Sequence, residues 1–213
     1  MERSDLTSEQ YASLLEAIFP IIGERGPSHT SMDHVASKLG MSKRTLYEIF
    51  ENKDDMLKEV LAHHHDLHEK EMAKLFENSP NVMVGLYKSM LYQQQFFSKI
   101  NPVFFRDMDE RFKHIRPEYD KNNDKGYHAM AKVIRTGVEQ GVLRPDFDFR
   151  LQFTLLKVQM ESLKRMEEYF PPDVTLSQAY SAISEGFLRS IATSKGLEII
   201  ESMELSKQDT DKI

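Results

Sequence analysis

Apolar residues recur along this chain at spacings of three and four, the period of an amphipathic helix. Between Glu9 and Glu24, Leu14, Leu15, Ile18, Phe19 and Ile22 fall on one face. Pro20 lies inside that pattern and predicts a kink or interruption. The stretch "ERGPSHTS" ends the helix, with Gly26 suited to its C-terminus and Pro27 just beyond. Ser31 is placed to cap a second short helix reaching about Leu39. Gly40 ends that helix and Ser42 caps a third, which turns Leu46, Ile49 and Phe50 inward. A long helix is predicted from Lys53 towards Phe76.

After "ENSPN" a helix is predicted from Asn81 to about Lys99, and Asn101-Pro102 starts a shorter one reaching about Phe112. Arg116-Pro117 breaks that element, and another helix, with a break expected near Gly126, runs to Gln140. "GVLRPDFD" reads as a loop in which Gly141 suits a left-handed cap and Pro145 a turn. Two further long helices follow, Phe149 to Tyr169 and Leu176 to Thr193, separated by "PPDVT". The polar tail is expected to begin as a helical turn and to fray after about residue 206. No segment has the period of a strand, so the fold class is all-α. Residues 1–52 are expected to form one domain and residues 53–213 another.

Charge changes this picture at one place. The chain carries a net charge of −6, which argues against a nucleic-acid partner if the charge is evenly spread. It is not. Between Ser37 and Phe50 the only charged residues are Lys38, Lys43, Arg44 and Glu48, so this segment is locally positive. The absence of cysteine excludes disulfides, thiolate metal sites and a cysteine nucleophile. "MERSDLTSEQ" has no apolar signal-peptide core, and no apolar run has the length of a membrane span, so a cytoplasmic protein is expected without a membrane partner.

Two short helices joined by a tight turn suggest a helix-turn-helix. Ala36 supplies the small residue where the first helix is closely approached, and Gly40 the residue tolerant of positive φ. Val35, Leu39, Met41, Leu46 and Ile49 sit at intervals that pin both helices to a core. An ordinary helical hairpin accounts for these positions equally well. It does not account for an exposed face that starts Ser-Lys-Arg-Thr and continues to Tyr47.

The stretch "TSMDHVASKLGMSKRTLYEIFENKDDML", Thr30 to Leu57, resembles the DNA-binding signature of the tetracycline-repressor (TetR/AcrR) family of bacterial transcriptional regulators. "LLEAIFPIIGERG", Leu14 to Gly26, is similar to that family's first helix. The resemblance is specific over roughly the first quarter of the chain. Beyond it, the similarity lies in size, helical content and phrases such as "GVEQGVLRPDFD". It implies that residues matching Thr45 and Tyr47 touch base or backbone. It also implies that Lys53 holds a phosphate and that Ser31 with Met32 supplies a further backbone contact. From chemistry alone, Lys43 and Arg44 in the first turn of the third helix can donate to guanine, and Ser42 offers a capping hydroxyl. Arg44 departs from the small residue many members carry. It could read a base, or pair with Glu48 one turn later and remain solvated.

The resemblance implies a homodimer on a palindromic double-stranded operator and a small-molecule effector that releases a repressor. On Leu176–Thr193, Ala182, Gly186 and Ser190 form a small-residue stripe beside Ile183, Phe187 and Ile191. With Leu151, Leu155, Val158 and Ser162 of the preceding helix these could build a four-helix dimer interface, or pack within one chain. Methionine and aromatic side chains of the middle helices suit an apolar pocket for an apolar or amphipathic molecule. Candidate lining residues are Tyr87, Met90, Gln94, Phe97, Phe105, Met108, Tyr127, Met130, Ile134 and Lys157.

In "HHHDLHEKE", His64 and His68 are four apart with Glu71 three further on, a spacing that can ligate zinc or nickel. Such clusters on a solvated connecting helix are ordinarily just polar surface, and no metal or cofactor is assigned. His65, one position off that stripe, is the histidine expected to face the core. No phosphate-binding loop, nucleophile elbow or paired Glu-x-x-His motif is present, so an enzyme is not expected. The competing reading is a helical small-molecule- or metal-binding protein without sequence-specific DNA binding.

Overall fold

The computed structural model describes the backbone of residues 5–115 and 123–210 and the side chains of residues 5–115 and 128–205. The elements are α1 (Ser8–Arg25), α2 (Met32–Lys38), α3 (Lys43–Ile49), α4 (Lys53–Glu77), α5 (Val82–Phe97) and α6 (Val103–Glu110). They continue with α7 (Asn123–Glu139), α8 (Phe149–Ser162), α9 (Met166–Tyr169), α10 (Leu176–Ile191) and α11 (Ser194–Thr210). Several starts are fixed by the residues that should fix them. Thr7 and Gln10 close a capping box on α1, Thr175 and Gln178 another on α10, and Asn52 and Asn81 accept from the third amide of α4 and α5. Ser31 and Ser42 do the same for α2 and α3. Gly40 and Gly141 adopt φ of 65° and 68°, as their turns require.

Four elements depart from expectation. Pro20 does not interrupt α1, which runs continuously to Arg25. The helix predicted over Phe149 to Tyr169 stops at Ser162 and passes through a 3₁₀ turn, Leu163–Arg165, before α9. The break lets Leu163 and Met166 both enter the core, while α8 itself buries no residue. The C-terminal tail is the helix α11 rather than a single turn, because its apolar side has somewhere to go. Ile200 is fully buried, Leu197, Ile199 and Met203 pack beside it, and Arg189 Nη2 donates to Glu204 at 2.7 Å. The helix ending at Glu139 runs through Gly126 without a break; the Arg116-Pro117 break lies outside the described residues.

Two cores result. One gathers α5, α7, α10 and α11 around Met83, Leu143, Ile191 and Ile200. The other begins at Leu15 on α1 and takes in α2, α3 and the first turns of α4. It does not stop at the boundary expected between residues 52 and 53, but continues through Ile100, Phe104, Met108, Leu163 and Met166 to Ala179. The helix-turn-helix and the helices after it therefore share buried surface.

Gly196 marks where α11 meets the rest: a Cβ there would lie 2.3 Å from the Val142 carbonyl oxygen. Gly196→Ala should lower the unfolding free energy by about 1–3 kcal/mol, measured by urea denaturation, through overpacking against backbone. An unchanged midpoint would mean that α11 is not held at this distance.

Candidate nucleic-acid interface and an apolar cavity

α3 is short, and its inward residues Leu46 and Ile49 are buried with Val35 and Ala36 of α2. Its outer face is thereby fixed. Tyr47 is 52% exposed, and among the described residues its hydroxyl has no partner. Ser42 Oγ accepts from the Thr45 amide at 3.0 Å and lies 2.7 Å from Thr45 Oγ1, so both hydroxyls sit at the helix start. Lys43 forms an ion pair with Asp33 of α2. Arg44 Nε donates to Glu48 Oε1 at 2.7 Å, which holds the Glu48 carboxyl below the usual carboxylate range. Ser31 is exposed at the start of α2, whereas Met32 turns its side chain into the core and offers this face only its backbone.

Lys53, at the first position of α4, does not point freely outward. Its ammonium lies 5.2 Å from the centre of the Phe112 ring. Burial lowers its pKa, opposed by the charges of Asp107 and Asp54. The same end of α4 is held by His114, whose Nε2 is 2.7 Å from Asp54 Oδ2.

Behind the α1–α4 packing lies a cavity of about 720 Å³, walled by α1, α4, α5 and α6. Phe19 and Pro20 come from α1, Leu61, His64 and Leu67 from α4, Tyr92 and Phe96 from α5, and Phe104, Phe105 and Met108 from α6. Of the residues expected to line a pocket, only Phe105 and Met108 do so among the described side chains. Tyr87, Met90 and Ile134 are buried in the second core and Met130 packs against it. Phe97 packs against the first core and Lys157 is exposed on α8. Gln94 is half-buried between Gln93 and Gln95, which do line the cavity. The side chain of Tyr127 lies outside the described residues. What the sequence did not reveal is the wall contributed by α1. Phe19 carries an ordinary core pattern, and only the tertiary arrangement gives it a second face.

The histidines of α4 are not simply solvated. His64 packs its ring 3.9 Å from that of Phe19, and its Nε2 is buried without a hydrogen-bond partner. Burial, with the neighbouring His63, lowers its pKa to about 4. His68 Nε2 lies 2.7 Å from Gln93 Oε1, while Glu71 pairs with Lys74 on the surface. His65 also lines the cavity. Among the described residues, no three His, Cys, Asp or Glu side chains are grouped to hold a metal ion.

Away from the cavity lining, Leu151, Leu155 and Val158 of α8 are 49–62% exposed. Ala182, Gly186 and Ser190 of α10 are exposed as well, with open space around Gly186, while Ile183, Phe187 and Ser162 are half-buried.

This arrangement defines a helix-turn-helix regulator: a capped, partly basic recognition helix on an all-α body. Residues 14–60 match the family model "Bacterial regulatory proteins, tetR family". It is 24% identical over 149 residues to the HTH-type transcriptional repressor KstR2 of Mycobacterium tuberculosis, covering 68% of this chain and 74% of that one. The solved structure of that ketosteroid regulator superimposes with a TM-score of 0.56 at 19% identity, covering 89% of this chain and 98% of the other. A TetR-family regulator from Agrobacterium tumefaciens gives a TM-score of 0.65 at 14% identity, covering 88% and 100%. A transcriptional regulator from Saccharomonospora viridis, solved with choline, gives 0.62 at 21% identity, covering 88% and 100%. Among the described residues, no helix is long and apolar enough to cross a membrane.

His64 provides a check on this packing. Its folded-state value of about 4 lies below the ordinary 6.5, so between them the unfolded chain binds a proton that the folded chain does not. The stability this gives is complete above pH 6.5 and declines as pH falls towards 4. His64→Leu, which also removes the orphaned Nε2, should flatten the decline in urea midpoint between about pH 7 and pH 5. Equal slopes in both proteins would mean that the ring is not buried against Phe19.

Proposed function

We propose that the protein is a dimeric, cytoplasmic repressor that a small apolar or amphipathic molecule releases from a palindromic operator. Ser31, Ser42, Lys43, Thr45, Tyr47 and Lys53, with the backbone at Met32, hold DNA through hydroxyl, phenol, ammonium and amide contacts, and Arg44 adds a guanidinium at the groove. The observation that carries this reading is the shared wall: the cavity is bounded by α1, and α1 buries its other residues in the same core as α2 and α3. An occupant pressing on Phe19 or Phe104 must therefore move the body that presents Tyr47.

The cavity's volume of about 720 Å³ suits a drug-sized molecule, and its walls are mostly aromatic and aliphatic. Relatives of similar fold include a ketosteroid regulator and one solved with choline, which fits an apolar or amphipathic occupant. Repression and release are linked reciprocally. If the molecule weakens DNA binding by about 5–150-fold, DNA weakens the molecule's binding by the same factor.

A single helix-turn-helix makes few contacts, and two copies with recognition helices about 34 Å apart would enter successive major grooves. The exposed apolar stripe of α8 and the small-residue stripe of α10 supply a face on which two chains could pack as four helices.

Two measurements test this. Leu155→Glu with Val158→Glu should convert a dimer to a monomer in analytical ultracentrifugation, and a dimer that survives both changes would exclude this face. The chain contains no tryptophan, so Leu67→Trp places one fluorophore at the cavity wall. Apolar molecules that quench the introduced tryptophan should lower operator affinity by about 5–150-fold in fluorescence anisotropy. Ligands that quench it while leaving DNA affinity unchanged would separate the cavity from regulation.

A further inference from the structure

The recognition helix carries its own carboxylate, and that residue has a use. Arg44 is 88% exposed at the side chain and Glu48 28%, so the pair lies on the outer face of α3 with the carboxylate nearer the protein. The bond between them uses Arg44 Nε. Among the described residues, neither Nη group of Arg44 has a partner. A guanidinium held by Nε keeps its two Nη groups as an outward fork, the arrangement that donates in parallel to guanine O6 and N7. Lys43, the other cation of this turn, is tied back to Asp33 of α2 and is the poorer candidate for a base.

We propose that Glu48 is a positioning residue that sets sequence specificity: it orients Arg44 so that Arg44 reads a guanine in each half-site. This rests on the reading of α3 as the DNA-recognition helix. An unrestrained arginine would spend most of its time in other rotamers and could pair with any nearby phosphate. With Glu48 bonded to Nε, that freedom is narrowed before DNA is met, and the charge available for non-specific attraction is reduced. The carboxylate thus lowers general affinity and raises discrimination.

The test is binding-site selection from random duplexes, followed by affinity measurements on the selected site and on variants at each position. Wild type, Glu48→Ala, Glu48→Gln, Arg44→Ala and the double variant with both alanines would be compared. Both side chains project from the surface, and circular dichroism verifies that each variant folds. For wild type, one half-site position should be guanine, with a preference of about 10–100-fold over other bases. Glu48→Ala should erase most of that preference while binding random DNA more tightly. Glu48→Gln, whose amide oxygen can still accept from Nε, should retain it. In the Arg44→Ala background, adding Glu48→Ala should change the selected sequence no further.

A Glu48→Ala protein with the wild-type profile would overturn the positioning role. So would a change at a second position that persists without Arg44, since Glu48 would then itself be contacting a base, such as a cytosine amino group. Enrichment of a site whose profile is untouched by Arg44→Ala would remove Arg44 as the reader while leaving α3 as the recognition helix. No enrichment by the folded wild-type protein would overturn the DNA-reading role of α3 itself, and this inference with it.

Discussion

A hydrogen bond to a buried carboxylate ties the segment between α1 and α2 to α6. The Ser28 amide donates to Asp107 Oδ2 at 2.7 Å, across 79 residues of sequence, and Asp107 is buried to 5% exposure. Ser28 stands in the turn between α1 and α2; Asp107 stands on α6, which forms a wall of the cavity. A carboxylate kept from water needs partners, and a charge-assisted bond of this kind contributes about 1.5–3 kcal/mol. The backbone is shaped to allow it. Gly26 has φ of 82°, and a Cβ there would meet Asp107 Oδ2 at 2.8 Å and Val103 Cγ1 at 2.9 Å. Thr30 Oγ1 donates to the Gly26 carbonyl and the Asn101 amide to the Gly23 carbonyl, so the end of α1 is held from both sides.

From this clamp the remaining arrangement follows. α1 cannot shift along α4 without disturbing α6, and α6 cannot shift without altering the cavity. Lys53 and Asp54 carry the same constraint to the start of α4 through Phe112 and His114. The cavity occupies the space that α1, α4, α5 and α6 leave between them, and His64 shows its energetic character. A half-buried imidazole with an orphaned, buried Nε2 persists because the ring packs on Phe19 and stays neutral.

The helix-turn-helix was legible in the sequence because its determinants are local. Ser31, Gly40, Ser42 and the spacing of Val35, Leu46 and Ile49 each act within a few residues. The all-α class and most helix limits were legible for the same reason. α11 was not, since the burial of Ile200 depends on α5 and the 142–143 segment, and its polar residues read as a tail. The break at Leu163 escaped notice because helical periodicity continues through it. Little of the cavity was legible: Phe105 and Met108 stood out on the middle helices, but Phe19 looked like core and His64 like part of a solvated stripe. Asp107 left no local signal, because its partner is a backbone amide far away in sequence.

The operator affinity of Asp107→Ala, measured by fluorescence anisotropy on the selected site with folding verified by circular dichroism, bears most directly on this coupling. Asp107 does not lie on the recognition helix, so a loss of about fivefold or more, without loss of fold, is the expected result if α6 and the helix-turn-helix form one mechanical unit. Wild-type affinity in a folded Asp107→Ala protein would contradict it, and the cavity would then have no route through this clamp to DNA.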